Sequence, residues 1–280
     1  MSLPGEPTGP STAVERADDW RHALESWAIP PEILAGATES PWVLARQACA
    51  RRTELRPESP HSPSFERAWE ALDPPGSVLD IGTGAGAACL PLWPRATSMT
   101  AVDADEQLLS VLANSAEGLG LDLRRVHGRW PDVASALAPA DVVTCHHVVY
   151  NVPDIEPFLA ELTAHARRRV VVEMTAVHPL SFLNPLWERF HGLIRPSTPR
   201  AEDILALLEA LGVSPCYEIW TPSAPVEHGS FEDLVEVTRR RLCLQPGRSA
   251  EVASALRELD GPEGLGELRA PPAELFTIWW

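Results

Sequence analysis

Short apolar runs recur along the chain and are separated by polar, helix-forming stretches. Val78-Leu79, Met99 to Val102, Leu121 to Val126, Ala140 to Cys145 and Arg169 to Met174 read as strands one to five. The fifth run is apolar and β-branched, as a strand covered on both faces should be. Between them lie residues at helical spacing. Asp105 precedes Leu108, Leu109 and Leu112, and Asp154 precedes Phe158, Leu159 and Leu162. Thr198-Pro199 is expected to cap a helix carrying Ile204, Leu205, Leu207, Leu208 and Leu211. Cys216 to Trp220 reads as a sixth strand and Leu275 to Trp280 as a seventh, with helices starting near Ser230 and Ser249 between them. The alternation of strands and helices predicts an α/β fold.

The first 75 residues differ. Residues 1–12 are rich in Pro, Gly and Ser and read as a disordered tail. Residues 13–75 read as helical: Trp20, Leu24 and Trp27 share a face, Pro31 restarts a helix after Pro30, and a further pattern runs from Trp42 to Arg52. Ser64 is expected to cap a helix holding Phe65, Ala68, Trp69 and Leu72. Trp20, Trp27 and Trp42 either anchor this region on the core or line a pocket.

The stretch Asp80-Ile81-Gly82-Thr83-Gly84-Ala85-Gly86 follows the first strand. Glycines at alternate positions permit a tight turn and close approach of the backbone to a ligand. The amides beyond the turn then face that ligand. Gly82, Gly84 and Ala87 also satisfy the dinucleotide pattern G-x-G-x-x-G/A. Asp80 argues against a dinucleotide, because its charge would meet pyrophosphate oxygens of the same sign.

With Asp80, the stretch resembles the first motif of the class I S-adenosylmethionine (SAM)-dependent methyltransferases, D/E-x-G-x-G-x-G. The resemblance covers Val78 to about Trp220 and the last strand. It implies a seven-stranded, mostly parallel Rossmann-like sheet in the order 3-2-1-4-5-7-6, with helices on both faces. It places the methyltransferase core in residues 76–220 with 275–280; the inserted residues 221–274, together with the N-terminal helices, are read as a helical lid. SAM carries an ammonium and a sulfonium, which a carboxylate would favour. The resemblance implies that Asp80, Gly82, Thr83, Gly84 and Gly86 hold the cofactor. Asp103, an acid about 20 positions on, is suited to accept the ribose hydroxyls. Where relatives carry an acid near the adenine, this chain has Gly128-Arg129-Trp130, so Arg129 and the face of Trp130 are candidates there, with a packing role as the alternative for Trp130. Cys145, a small residue at the end of strand four, completes the cofactor set.

His146, His147 and Tyr150 lie just beyond strand four, at the end of the sheet where such folds bind ligands. They are the candidate catalytic residues, since imidazole can take a proton near neutral pH. Adjacent histidines on a strand point apart, so no metal site is expected. Glu173, near the end of strand five, is a further functional candidate.

Composition narrows the choice. The net charge is −16 over 280 residues, which argues against a nucleic-acid partner. Arg167–Arg169 and Arg239–Arg241 are the exceptions, and each reads as a solvated run. The chain contains no lysine, which removes Schiff-base chemistry. Five scattered cysteines without a C-x-x-C fit a reducing cytoplasm. No apolar run is long enough to span a membrane. The acceptor expected from an acidic body with a lid is a small molecule. An RNA or protein acceptor and a non-catalytic SAM-binding module are the alternatives, and an NAD-linked oxidoreductase is the least favoured.

Overall fold

The computed structural model describes residues 11–42, 62–222, 231–260 and 274–280. The expected helical pattern from Trp42 to Arg52 therefore lies almost entirely outside the described residues. Seven strands are formed: β1 Gly76–Ile81, β2 Ala96–Asp103, β3 Leu123–His127, β4 Ala140–His146, β5 Ala166–Thr175, β6 Cys216–Trp220 and β7 Leu275–Trp279. They make one sheet in the order β3-β2-β1-β4-β5-β7-β6, as the resemblance implies. β1 to β5 are parallel, and β7 runs antiparallel to both β5 and β6.

Nine α-helices are described: α1 Ala13–Glu25, α2 Pro31–Ala35, α3 Pro63–Ala71, α4 Glu106–Ala116, α5 Ile155–Ala164, α6 Asn184–His191, α7 Ala201–Ala210, α8 Phe231–Arg241 and α9 Ser249–Asp260. Two caps fall elsewhere than the sequence suggests. Ser62, not Ser64, caps α3 through its hydroxyl, which accepts from the Phe65 amide. Ser64 is instead buried against β7, sharing a 2.6 Å hydrogen bond with Thr277. α7 begins after Arg200, whose amide donates to the Asp203 carboxylate at 2.8 Å. Asp105 caps α4 as expected, accepting from the amides of Gln107 and Leu108.

Alternation along the strands divides the core. Val78, Met99, Val142 and Val171 pack on one face with Ala68 and Leu72 near α3 and Leu109 and Leu112 of α4. Leu79, Val143, Cys145, Val172 and Ile278 pack on the other, with Trp20, Phe158, Leu159 and Ile204. A third cluster stands apart from the sheet. There Ile29 and Ile33 meet Leu186 and Trp187 of α6, Leu234 and Val235 of α8, and Val252 and Leu256 of α9. Arg239, almost wholly buried, ties this cluster by ion pairs to Glu39 and Glu236.

Trp20 and Trp27 anchor the N-terminal helices. Their indole N–H groups donate to the carbonyls of Val152 and Thr198. Trp42 is exposed. The connection after the glycine turn is a single 3₁₀ turn, Leu90–Leu92, where Pro91 and Pro94 allow little more. No helix among the described residues is long and apolar enough to cross a membrane.

Candidate active site

Polar side chains concentrate at the carboxyl ends of β1, β4 and β5, on the face that carries α3. Asp80 is 1% exposed. One carboxylate oxygen accepts from the Thr144 hydroxyl at 2.6 Å; the other, Oδ2, is buried without a protein partner. A buried carboxylate oxygen left unpaired is costly, and a ligand cation would satisfy it. The adjacent charge raises the thiol pKa of Cys89 and Cys145, in each case after burial itself.

The glycines have separate tasks. All three have positive φ: 68° at Gly82, 55° at Gly84 and 94° at Gly86. A Cβ on Gly82 would stand 2.3 Å from Val148 Cγ2, and one on Gly86 would stand 2.4 Å from Leu112 Cδ1. Gly84 instead presents its amide to Asp103, 2.7 Å from Oδ2. The Asp105 amide donates to the other oxygen of Asp103 at 2.8 Å. Burial raises the Asp103 pKa, and these two amide bonds act against it. Each oxygen thus has one fixed donor and a further lone pair.

The remaining cofactor candidates are less concentrated. Thr83 is buried within the turn, its hydroxyl 3.4 Å from Cys89 Sγ. Arg129 is exposed beside Gly128. Trp130 lies in the core, donating to the Phe158 carbonyl and meeting His165 edge-on. These contacts describe the packing alternative for Trp130. Cys145 packs on the sheet face opposite Asp80.

His146, His147, Tyr150 and Glu173 come together. His146 pairs in register with Glu173 across β4 and β5, and its Nε2 is buried without a protein partner. His147 adopts a φ of 59°, a left-handed conformation uncommon for residues other than glycine. This turn corrects the expectation that the two imidazoles point apart. The chain has left the extended conformation at His147, and its ring swings back so that Nε2 lies 3.1 Å from Glu173 Oε1. Nδ1 of the same ring lies 3.0 Å from the Tyr150 hydroxyl, which accepts from the Thr175 amide at 2.8 Å. Glu173, ionised, can only accept, so the Nε2–H donates to it, and in the neutral ring Nδ1 accepts from the Tyr150 hydroxyl.

Glu173 is 6% exposed. Burial would raise its pKa. The charge of His146, the hydrogen bond and charge of His147 and a hydrogen bond from Ser64 outweigh burial and hold the carboxyl well below the ordinary range. A depressed carboxyl stabilises the fold above its unfolded pKa and loses that contribution as the pH falls. Wild type is therefore expected to exceed Glu173→Gln in thermal stability at pH 6. The difference should narrow on acidification below about 4.5, the usual value. Paired melts at pH 6, 4.5 and 3 check this; a constant difference would count against an ionised Glu173.

His178, at the exit of β5, carries no motif that marks it in the sequence. Its ring stacks on Trp27 with centroids 3.9 Å apart and meets Tyr150 edge-on at 6.1 Å. Burial, with the charges of Arg195 and Arg241, depresses its pKa to about 4. The Leu180 amide donates to Nδ1 at 3.2 Å, so the neutral ring carries its proton on Nε2. The arginine runs are largely paired. Arg168 meets Asp141, Arg169 meets Glu70, and Arg239 meets Glu236 and Glu39.

A sheet in this order, with a buried acid before the glycine turn and a second acid ending β2, defines the Rossmann-like class I SAM-dependent methyltransferases. A family model described as a methyltransferase domain matches residues 52–215, and the chain belongs to that family. The chain is 28% identical over 174 residues to a ubiquinone biosynthesis O-methyltransferase of Maricaulis maris, covering 54% of this chain and 65% of that protein. It is 32% identical over 109 residues to an uncharacterized protein of Haemophilus influenzae, covering 39% of this chain and 40% of that one. In both cases the match spans less than two thirds of the relative's length. Among solved structures, a cyclopropane-fatty-acyl-phospholipid synthase-like protein from Lactobacillus casei shares the fold, with a TM-score of 0.52 and 14% identity. That match covers 92% of this chain and 99% of the other.

Proposed function

We propose that this protein transfers a methyl group from SAM to a small-molecule acceptor enclosed by a helical lid. The observation that carries the reading is the buried Asp80 oxygen without a protein partner, set beside the glycine turn. The residues fit the cofactor. Asp80 would meet its positive charge, Gly82, Thr83, Gly84 and Gly86 would form the turn around it, and Asp103 would accept its ribose hydroxyls. When bound, SAM supplies an electrophilic methyl on a positively charged sulfur. The third apolar cluster, built from α2, α6, α8 and α9, is the lid in this reading. It would exclude water and hold the acceptor in place, and positioning contributes roughly 7–11 kcal/mol in favourable cases.

The proton of an acceptor hydroxyl has a route through this chain. Tyr150 takes it on its oxygen while passing its own proton to His147 Nδ1, and the resulting imidazolium is held by Glu173. His147 is the base in this arrangement, Tyr150 the contact with the acceptor and Glu173 the orienting charge, a division seen generally where a third group orients a base. His146, with an unpartnered Nε2 beside Asp80's row of the sheet, is assigned to the wall of the same site.

The test supplies methyl-labelled SAM to the protein with a pool of small metabolites, and separately with RNA and with proteins. Label is expected in the small-molecule fraction. Tyr150→Phe is expected to lower its transfer by about 10²-fold or more, the usual range for acid–base assistance. Label entering RNA or protein instead would reject the acceptor class. Full transfer by Tyr150→Phe would reject the proton route.

A further inference from the structure

Two buried hydroxyls lie on the far side of Glu173 from the histidines. β5 stands between β4 and β7 in the sheet. His146 and His147 reach Glu173 from the β4 side. Thr277 stands opposite Glu173 on the β7 side, in antiparallel register, so the two side chains share a face of the sheet. Ser64 of α3 meets Thr277 there, oxygen to oxygen at 2.6 Å, and both residues are 0% exposed. The Trp220 indole N–H, from β6, donates to the same Thr277 oxygen at 3.0 Å. A hydroxyl from an N-terminal helix and one from the last strand thus converge beside one carboxylate.

The row has a direction. The two hydroxyls hold two protons, and the bond between them uses one. The second proton, buried, needs an acceptor. Two carboxylates flank Thr277 in register, Glu173 on β5 and Glu218 on β6. Glu218 is exposed to water, whereas Glu173 is 6% exposed. The buried charge has the greater need of donors. An indole N–H only donates and an ionised carboxylate only accepts. Ser64 makes the last link, through the hydrogen bond that helps to hold the Glu173 carboxyl below its ordinary range. Trp220 therefore donates to Thr277, Thr277 to Ser64 and Ser64 to Glu173. Donors in series polarise one another, and here each points toward the charge that faces His147.

We propose that Ser64 and Thr277 are positioning residues for the proton route, holding the Glu173 carboxylate from the β7 side so that it stays turned toward the His147 imidazole on the β4 side. Both act through Glu173 and not on the acceptor. This deepens the methyltransferase reading and rests on it, since His147 is the base only in that reading. It extends the site to α3 and β7, which carry none of the sequence motifs.

The His147 Nε2–H, bonded to Glu173, can be followed by NMR in the full chain labelled at its histidine nitrogens, with neither cofactor nor acceptor present. Its exchange with water is expected to quicken about tenfold or more in Ser64→Ala and in Thr277→Val. Thr277→Ser, which keeps the hydroxyl, should return it toward the wild-type rate. In a Glu173→Gln background the same substitutions should change the rate less than about twofold, because the group they act through is gone. Methyl transfer from labelled SAM to the small-molecule pool gives a second readout. There kcat should fall about tenfold in Ser64→Ala and in Thr277→Val, with the KM for SAM unchanged. The two substitutions interrupt the row on different elements, so if one variant fails to fold the other decides. Wild-type exchange in the folded variants, exchange as fast in Thr277→Ser as in Thr277→Val, equal effects with and without Glu173, or a raised KM with kcat intact would each overturn the proposal. If wild type transfers no label while the exchange differences persist, the methyltransferase reading fails and the hold on Glu173 stands.

Discussion

Asp103→Ala is expected to weaken S-adenosylhomocysteine binding by about 10²-fold or more. The side chain would accept two ribose hydroxyls, and a hydrogen bond to a charged group contributes about 1.5–3 kcal/mol. The same carboxylate also holds the Gly84 and Asp105 amides, so its removal loosens the turn as well as the ribose contact. Asparagine is no remedy. Its amide nitrogen would face one of those two N–H donors, since each oxygen of Asp103 already accepts one. Calorimetric titration of wild type, Asp103→Ala and Asp103→Asn checks this. An affinity within threefold of wild type in the alanine variant would remove the ribose assignment.

Gly82→Ala is expected to damage the fold before it reaches the ligand. Its φ of 68° costs an L-residue about 1–2 kcal/mol. The added methyl would also stand 2.3 Å from Val148 Cγ2, and overpacking of this kind costs about 1–3 kcal/mol. The sum is about 2–5 kcal/mol. At about 2–4 °C per kcal/mol for a domain of this order of size, the melting temperature falls by roughly 10 °C. The double variant Gly82→Ala/Val148→Ala separates the two parts, because it removes the collision and leaves the dihedral. Partial recovery relative to the single variant is expected. No recovery would mean that Val148 is not what the glycine accommodates.

Much of this was legible in the sequence. β1 to β5 and their intervening helices follow from apolar runs and caps such as Asp105, and Cys216–Trp220 and Leu275–Trp279 were recognisable as strands. The strand order came from the resemblance, because no local pattern tells β7 to insert between β5 and β6. The misses share a cause. Ser64 has the chemistry of a cap, but the place taken by Thr277 on β7 decides that it packs and Ser62 caps. His147 follows an ordinary strand, and only the left-handed turn at its Cα brings its ring to Glu173 and Tyr150. Trp130, which reads as either a stacking or a packing residue, donates in the fold to the Phe158 carbonyl and meets His165 edge-on. His178 and Trp27 lie 151 positions apart in the sequence, and their stacking depends on how the N-terminal region packs against the exit of β5.

Asp80 carries the account, and its side chain can be tested without knowing the acceptor. Wild type and Asp80→Asn are titrated with S-adenosylhomocysteine and with NAD under the same conditions. Asparagine keeps the shape and an oxygen for Thr144 while removing the charge. The account predicts that wild type binds S-adenosylhomocysteine and not NAD, and that Asp80→Asn binds it at least tenfold more weakly. Binding of NAD in preference, or undiminished affinity in Asp80→Asn, would contradict it.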